Sequence, residues 1–420
     1  MTPPRAAPTP WARLARLSLA QWMLLAAAGG VLCGLLAPGV ASSLGIVTDI
    51  FLRLIRAIVA PVLVGVLIRA VGSAGSLGDL GRLGWKSLLL FELFTTLALL
   101  LGWGAALLFE PGRGVALASA AAPAVNSWSL RDLVVNAFPT SIFDAMARGD
   151  VLQILVFCLL FGLACLSAGE KARPVLDLAE AVVAVAFRFT HLVMFLAPAA
   201  VFAALAGTVA ASGAGVLAGL ARFVVVSWGA ELLFLLGGFG VALVVGGVPL
   251  RRFLGAVREP FLIAFATTSS AAALPQTLEN LERFGVPRRI LGVVAPLSVS
   301  LNLCGSTLFL GLATLFIAQA AGIALSLQQQ LLILVTLKLT SKGVAGIPRA
   351  NLVVLAALFQ SFGLPPEGLG LLLAIDAFID PIRTSVNVIG HCTAPALVAR
   401  WEGSRFQEAE HPPAPPPPPA

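Results

Sequence analysis

Apolar runs long enough to cross a bilayer begin near residues 20, 44, 87, 151, 181 and 217, and interrupted apolar segments fill 260 to 400. A hydrocarbon layer about 30 Å thick takes roughly 20 apolar residues of helix, and only helices and closed barrels satisfy their own backbone inside it. The runs therefore predict an all-α membrane protein with about eight crossings. Composition agrees, with 59% hydrophobic and 11% charged residues, where a soluble domain is about one quarter charged.

A formal charge of +7 would raise the question of nucleic acid in a soluble chain. Here the basic residues follow topology: Arg5, Arg13 and Arg16 precede the first run, and Arg69, Arg82 and Lys86 separate the second from the third. Lys171 and Arg173 follow the fourth, and Arg251 and Arg252 the sixth. The positive-inside rule then puts both termini in the cytoplasm, and no nucleic-acid partner is expected. Trp22, Trp85 and Trp401 fall near span ends as interface anchors. The first run also has the shape of a cleaved signal peptide, but the downstream charge pattern needs it retained. Cys33, Cys158, Cys165, Cys304 and Cys392 lack disulfide or zinc spacing. The ending "HPPAPPPPPA" reads as a disordered polyproline tail.

Two stretches echo each other: "TTSSAAALP" (267–275) aligns without gaps on "TSKGVAGIP" (340–348), and an Asn-x-x-Gly follows each, Asn302 to Gly305 and Asn387 to Gly390. Short hydrophobic segments broken by small residues at matching places in two halves point to a transporter binding site. Non-helical backbone at membrane depth must face protein or a wet cavity, and exposed helix ends there bind charge. The bland alternative is small residues that only pack helices tightly.

The densest polar signal is "DAFIDPIRTSVNVIGH" (376–391), in which Asp376, Asp380, Arg383, Asn387 and His391 share an arc of about 80° of one helix. An ionised group at the centre of a membrane helix costs roughly 2.5–3.5 kcal/mol even on insertion scales, so a polar face marks either function or interhelical glue. An Asp380–Arg383 pair alone would serve as glue; Asp376 and Asn387 on the same stripe favour function. Pro381 removes one backbone donor and frees an acceptor near Ala377.

In chain order, "AFATTSSAAALPQTLENLERFGV", "SLNLCGSTLFLGLATLFIAQAAGI", "TSKGVAGIPRA" and "DAFIDPIRTSVNVIG" resemble the dicarboxylate/amino acid:cation symporters, the family of glutamate transporters and their prokaryotic homologues. "FELFTTLALLLGW" and "FPTSIFDAMARGDVLQILVF" agree, so the resemblance runs from residue 20 to 403. It implies eight transmembrane helices, two re-entrant helical hairpins with inverted repeats, a homotrimer in the plasma or inner membrane, and an elevator mechanism. The expected organisation is a cytoplasmic tail (1–17), a transporter domain (18–403) and a Pro-rich tail (404–420). Within the transporter domain the scaffold would occupy about 18–74 and 151–209. The transport domain would occupy about 83–109 and 217–403, with hairpins near 253–280 and 326–360.

Carried over residue by residue, the resemblance implies that Arg383 holds a side-chain carboxylate, for which a planar fork of donors is suited. It implies that Asp380 receives a substrate amino group, which favours aspartate or glutamate over a plain dicarboxylate. Thr384, Asn387, Ser306, Ser269, Ser270 and the backbone at Gly346 would complete the substrate site. Sodium would be held by Asn302, Asn387, Asp376, Thr95, Thr96, Ser300 and Ser341, with Lys342 and Val344 carbonyls nearby. The chain departs from the family where Cys304 and His391 replace two sodium-binding acids, and hard cations prefer oxygen. Arg349 also replaces a frequent glycine. Coupling to sodium or to protons, through Glu92 or His391, stays open, and no other cofactor is expected.

Three other classes compete with this reading. A C4-dicarboxylate carrier differs only in substrate. An anion channel or receptor on the same fold would lack uphill uptake. An intramembrane aspartyl protease using Asp376 and Asp380 fails because residues four apart on one helix leave no room for a peptide between them. No GxxxxGK[ST] motif occurs, so a nucleotide-driven pump has no support, and no enzyme activity is expected.

Overall fold

Runs of Leu, Ala and Val with few polar breaks fold as helices because no water is available to their backbone groups. The computed structural model describes residues 19–72, 77–115, 135, 138–148, 150–341 and 350–406. Helices dominate, and no strand occurs among the described residues. In chain order they are α1 (Leu19–Leu36), α2 (Pro38–Ser43), α3 (Gly45–Gly72), α4 (Leu77–Phe109), α5 (Ile142–Arg148), α6 (Val151–Ala168), α7 (Arg173–Met194), α8 (Ala197–Ser212) and α9 (Gly215–Leu233). A π-helical turn (Phe234–Gly240) leads into α10 (Val241–Val245). Then follow α11 (Leu250–Thr267), α12 (Ser270–Phe284), α13 (Arg288–Leu301), α14 (Cys304–Ala320), α15 (Leu327–Thr340), α16 (Ala350–Phe362) and α17 (Gly368–Trp401).

Among the described residues, 3 helices are long and apolar enough to cross a membrane, or up to 4 if the bent pair Gln21–Leu36 and Pro38–Leu54 is one span. The other 3 are Arg82–Phe109, Gly215–Val245 and Arg288–Ala320. The 34-residue α17 carries Asp376, Asp380 and Arg383 and so does not count as apolar, although it is buried along almost its whole length.

Two apolar clusters organise the packing. The larger gathers α4, α8, α9 and α11 to α17 around Phe91, Phe94, Phe223, Phe309 and Phe316. The smaller joins α3, α5, α6 and α7 through Ala60, Leu67, Ile154, Cys158 and Ala179. Within the larger cluster α4 and α14 touch backbone to backbone. A Cβ on Gly102 would stand 2.1 Å from the Leu308 carbonyl oxygen, and one on Gly112, in the turn after α4, 2.3 Å from that of Phe316. Small residues permit such approach where lipid removes any hydrophobic gain from simple association. The opposite face of α4 presents Leu93, Leu97 and Leu100 outward.

Three local features follow from single residues. The chain unwinds at Asn302 and Leu303, between α13 and α14, while fully enclosed. α11 and α12 pack against each other across a tight turn at Thr268, which takes a left-handed conformation at φ 51°. Such a conformation is strained for a β-branched residue. Ser269 then caps α12, its hydroxyl accepting from the Ala272 amide at 3.2 Å.

At one end of the molecule Glu402, just past α17, meets Arg82 and Lys86 of α4, the Lys86 ammonium lying at 2.6 Å. That hydrogen bond, with the nearby cations, holds the Glu402 carboxyl below the usual carboxylate range. Ser404 to Phe406, where the polyproline tail was expected to start, are described. Arg252 donates to the Phe406 carbonyl at 2.7 Å, and the Phe284 and Phe406 rings lie 4.8 Å apart.

Candidate functional site

The polar stripe of α17 forms the centre of the site. Arg383 is 1% exposed, and its Nη2 lies 2.9 Å from Oδ1 of the fully buried Asp376 and 2.6 Å from Oδ1 of Asp380. Asp380 is the shallower carboxylate and also accepts from the Thr384 hydroxyl at 3.1 Å. The guanidinium lies over the Phe309 ring at 4.5 Å, a cation–π contact strengthened by its burial. Its Nη1 is buried and has no hydrogen-bond partner among the described residues. A buried donor left unmade is costly, and a carboxylate is the natural acceptor for the empty side of this fork.

Around the helix break, Asn387 and Ser306 bond twice: the Ser306 amide donates to Asn387 Oδ1 at 3.2 Å, and Asn387 Nδ2 donates to Ser306 Oγ at 3.1 Å. Asn351 of α16, which the sequence reading did not single out, donates to the same Ser306 hydroxyl at 3.3 Å. Asn302 donates to the Gly390 carbonyl at 3.0 Å, and the Cys304 thiol donates to Asn302 Oδ1 at 3.1 Å. The two Asn-x-x-Gly motifs thus meet, joining α13, α14 and α17. His391 is buried and its Nε2 has no partner among the described residues. The Trp228 indole donates to the Phe378 carbonyl at 2.9 Å, close to Pro381 within α17.

The remaining candidates lie apart. Lys338 of α15, also missed from sequence, bonds Thr95 and the Glu92 carbonyl (2.9 Å), and its ammonium lies 3.0 Å from the Glu92 carboxylate. Thr96 bonds back to the Glu92 carbonyl at 2.6 Å. Ser300 is half-buried in the last turn of α13, and Ser341 donates to the Lys338 carbonyl at 3.1 Å at the end of α15. Ser269 and Ser270 sit at the α11–α12 turn. Lys342, Val344, Gly346 and Arg349 lie outside the described residues. A lysine, an asparagine or a phenylalanine in an apolar helix gives no sign of which distant segment it meets; Lys338 and Glu92 are 246 residues apart.

Residues 19–401 match the model of the sodium:dicarboxylate symporter family. The chain is 36% identical over 381 residues to a proton/sodium-glutamate symport protein of Bacillus caldotenax, covering 88% of this chain and 90% of that one. It is 37% identical over 405 residues to a C4-dicarboxylate transport protein of Anaeromyxobacter sp. (strain K), covering 94% and 92%. It is 35% identical over 396 residues to a proton/glutamate-aspartate symporter of Bacillus subtilis (strain 168), covering 92% and 95%. With the broken helix, the shared Arg383 fork and a match spanning nearly every helix described, the chain belongs to the sodium:dicarboxylate symporter family.

Proposed function

We propose that this chain is a cation-coupled symporter that carries an acidic amino acid, aspartate or glutamate, across a cell membrane. The observation that carries the reading is the Arg383 fork: Nη2 shared by Asp376 and Asp380, Nη1 buried and unfilled. A substrate side-chain carboxylate would satisfy Nη1, while the substrate ammonium would take the shallower Asp380, matching both charges of an amino acid. Asn387, Thr384, Ser306 and the hairpin serines Ser269 and Ser270 would receive the remaining carboxylate.

The assembly read from the resemblance goes with it: eight spans, two re-entrant hairpins, a homotrimer, an elevator motion and cytoplasmic termini. The paired α11 and α12 around Thr268 and the separate apolar cluster of α3, α6 and α7 support this architecture. The coupling ion is sodium, proton or both. The break at Asn302 and Leu303 favours a cation nearby, whereas Cys304 supplies a thiol where oxygen is wanted.

A second reading, a C4-dicarboxylate carrier, has its own support in the relative of that name at 37% identity. Purified protein in liposomes, given labelled aspartate, glutamate and succinate under separate sodium and proton gradients, tests both. Amino acids accumulated in preference to succinate, with Asp380→Ser weakening aspartate more than succinate, supports the first reading. Succinate preferred, with Asp380→Ser without effect on the choice, supports the second.

A further inference from the structure

Glu231 stands in the apolar run "SWGAELLFLL" of α9, is 0% exposed, and neither carboxyl oxygen has a hydrogen-bond partner among the described residues. One turn earlier on the same helix, Ser227 is likewise 0% exposed with an unpartnered hydroxyl. Across from them is the start of α14, where a Cβ on Gly305 would lie 3.2 Å from Glu231 Oε2 and 2.3 Å from the Arg383 carbonyl oxygen. The carboxyl therefore sits at the start of α14 beside the Arg383 backbone, whose close approach leaves no room for a side chain at position 305.

We infer that Glu231 is the carboxyl that takes up and releases the coupling proton, an inference that rests on the symport reading above. Every helix packed against α9 bears on this. From α17 the facing charge is Arg383, whose guanidinium is already shared by Asp376 and Asp380; His391 lies further along the same stripe. From α14 the neighbouring titratable group is the Cys304 thiol, engaged with Asn302. From α4 the acid among the described side chains is Glu92, outward and ion-paired with Lys338, while Arg82 and Lys86 pair with Glu402. α8 and the π-helical turn bring no titratable side chain.

With Glu231 ionised, three carboxylates would face one guanidinium, and an acidic amino acid would add a further net negative charge. Buried charge that lacks a partner is strongly disfavoured. A proton joining the Glu231 carboxylate gives a neutral carboxyl, which crosses the membrane with the substrate and is released as the ion on the other side. No hydrogen bond among the described residues stabilises an ionised Glu231, and a proton removes the cost of that buried charge without any further ligand. The adjoining π-helical turn at Phe234–Gly240, with Gly237 and Gly238, widens the helix just after the acid. Such π-bulges recur at functional sites.

The test compares wild type, Glu231→Gln and Glu231→Asp of the full chain in liposomes. Labelled aspartate is followed in gradient-free exchange, then in uptake driven by a proton gradient and by a sodium gradient. In parallel, infrared difference spectra between acid and neutral pH seek the C=O stretch of a protonated buried carboxyl. Expected are loss of proton-driven accumulation in Glu231→Gln, exchange retained, partial recovery in Glu231→Asp, and disappearance of one carboxyl band. Proton-driven uptake with an unchanged pH profile in Glu231→Gln overturns the inference, as does a selective loss of sodium-driven uptake. If Glu231→Gln loses exchange as well, the infrared band decides, since it needs only folded protein. If wild type moves no aspartate under either gradient, the symport reading fails, while the same band still tests Glu231.

Discussion

Replacing Arg383 by cysteine removes the guanidinium that touches both Asp376 and Asp380, at 2.9 and 2.6 Å. Truncating one member of a buried, hydrogen-bonded charge pair costs about 2–5 kcal/mol in binding, which is roughly a 30-fold to several-thousand-fold loss of affinity at 1.4 kcal/mol per decade. Aspartate and glutamate should lose that much, while serine or alanine, which never used Nη1, should lose little. Stability falls too, because stranding buried carboxylates costs about 3–5 kcal/mol and the contact over Phe309 at 4.5 Å disappears. Adding Asp376→Asn to Arg383→Cys relieves the stranded charge and should recover thermal stability without recovering aspartate binding. The assay is equilibrium binding of labelled aspartate and serine to purified protein whose size-exclusion profile matches wild type. Aspartate affinity unchanged in Arg383→Cys, or restored in the double variant, would refute the assignment.

Other consequences are open to direct measurement. Gly102→Ala should destabilise by about 1–3 kcal/mol through overpacking, because its Cβ would meet the Leu308 carbonyl oxygen at 2.1 Å. Gly104→Ala, with nothing within 4 Å, should be neutral or stabilising; thermal melts compare the two. The depressed folded value of Glu402 means that its contribution to stability is present above the unfolded carboxylate range near ~4.3 and is lost as pH falls through the folded value. Glu402→Gln should flatten the acid side of the stability profile, and an unchanged profile would count against the contact. Cys304→Asp with His391→Asp should introduce or steepen sodium stimulation of aspartate binding; steep sodium dependence already present in wild type would show that other oxygens suffice.

The α17 stripe was legible because a polar residue every three or four positions in an apolar helix has only one geometric meaning, and the structure puts Asp376, Asp380 and Arg383 in direct contact. The paired Asn-x-x-Gly motifs were legible as an echo, and their meeting through Asn302 and the Gly390 carbonyl gives that echo a physical basis. Glu231 was not. A single acid inside "GAELLFLL" has no periodic partner, and its significance lies in Gly305 on another helix. Lys338 and Asn351 were invisible for the same reason: their bonds to Thr95 and Ser306 cross between helices far apart in sequence. Span counting from hydropathy also blurred where the chain breaks, since apolar sequence continues on both sides of Asn302 and across the bend at residues 36 to 38.

The contact of α4 with α14 divides one helix into two regimes of inheritance. At Gly102, and at Gly112 in the turn just past α4, any added carbon meets a backbone oxygen of the partner helix, and a backbone atom cannot be exchanged by mutation to make room. Shrinking the facing side chain therefore makes no room there while the two helices keep their spacing. On the outward face, Leu93, Leu97 and Leu100 are about half exposed, and a comparably apolar residue meets no backbone atom of α14 there. Glycine on one side and interchangeable apolar residues on the other should therefore outlast changes of substrate, because this seam holds α14, and with it Phe309 and Ser306, at a fixed distance from α4.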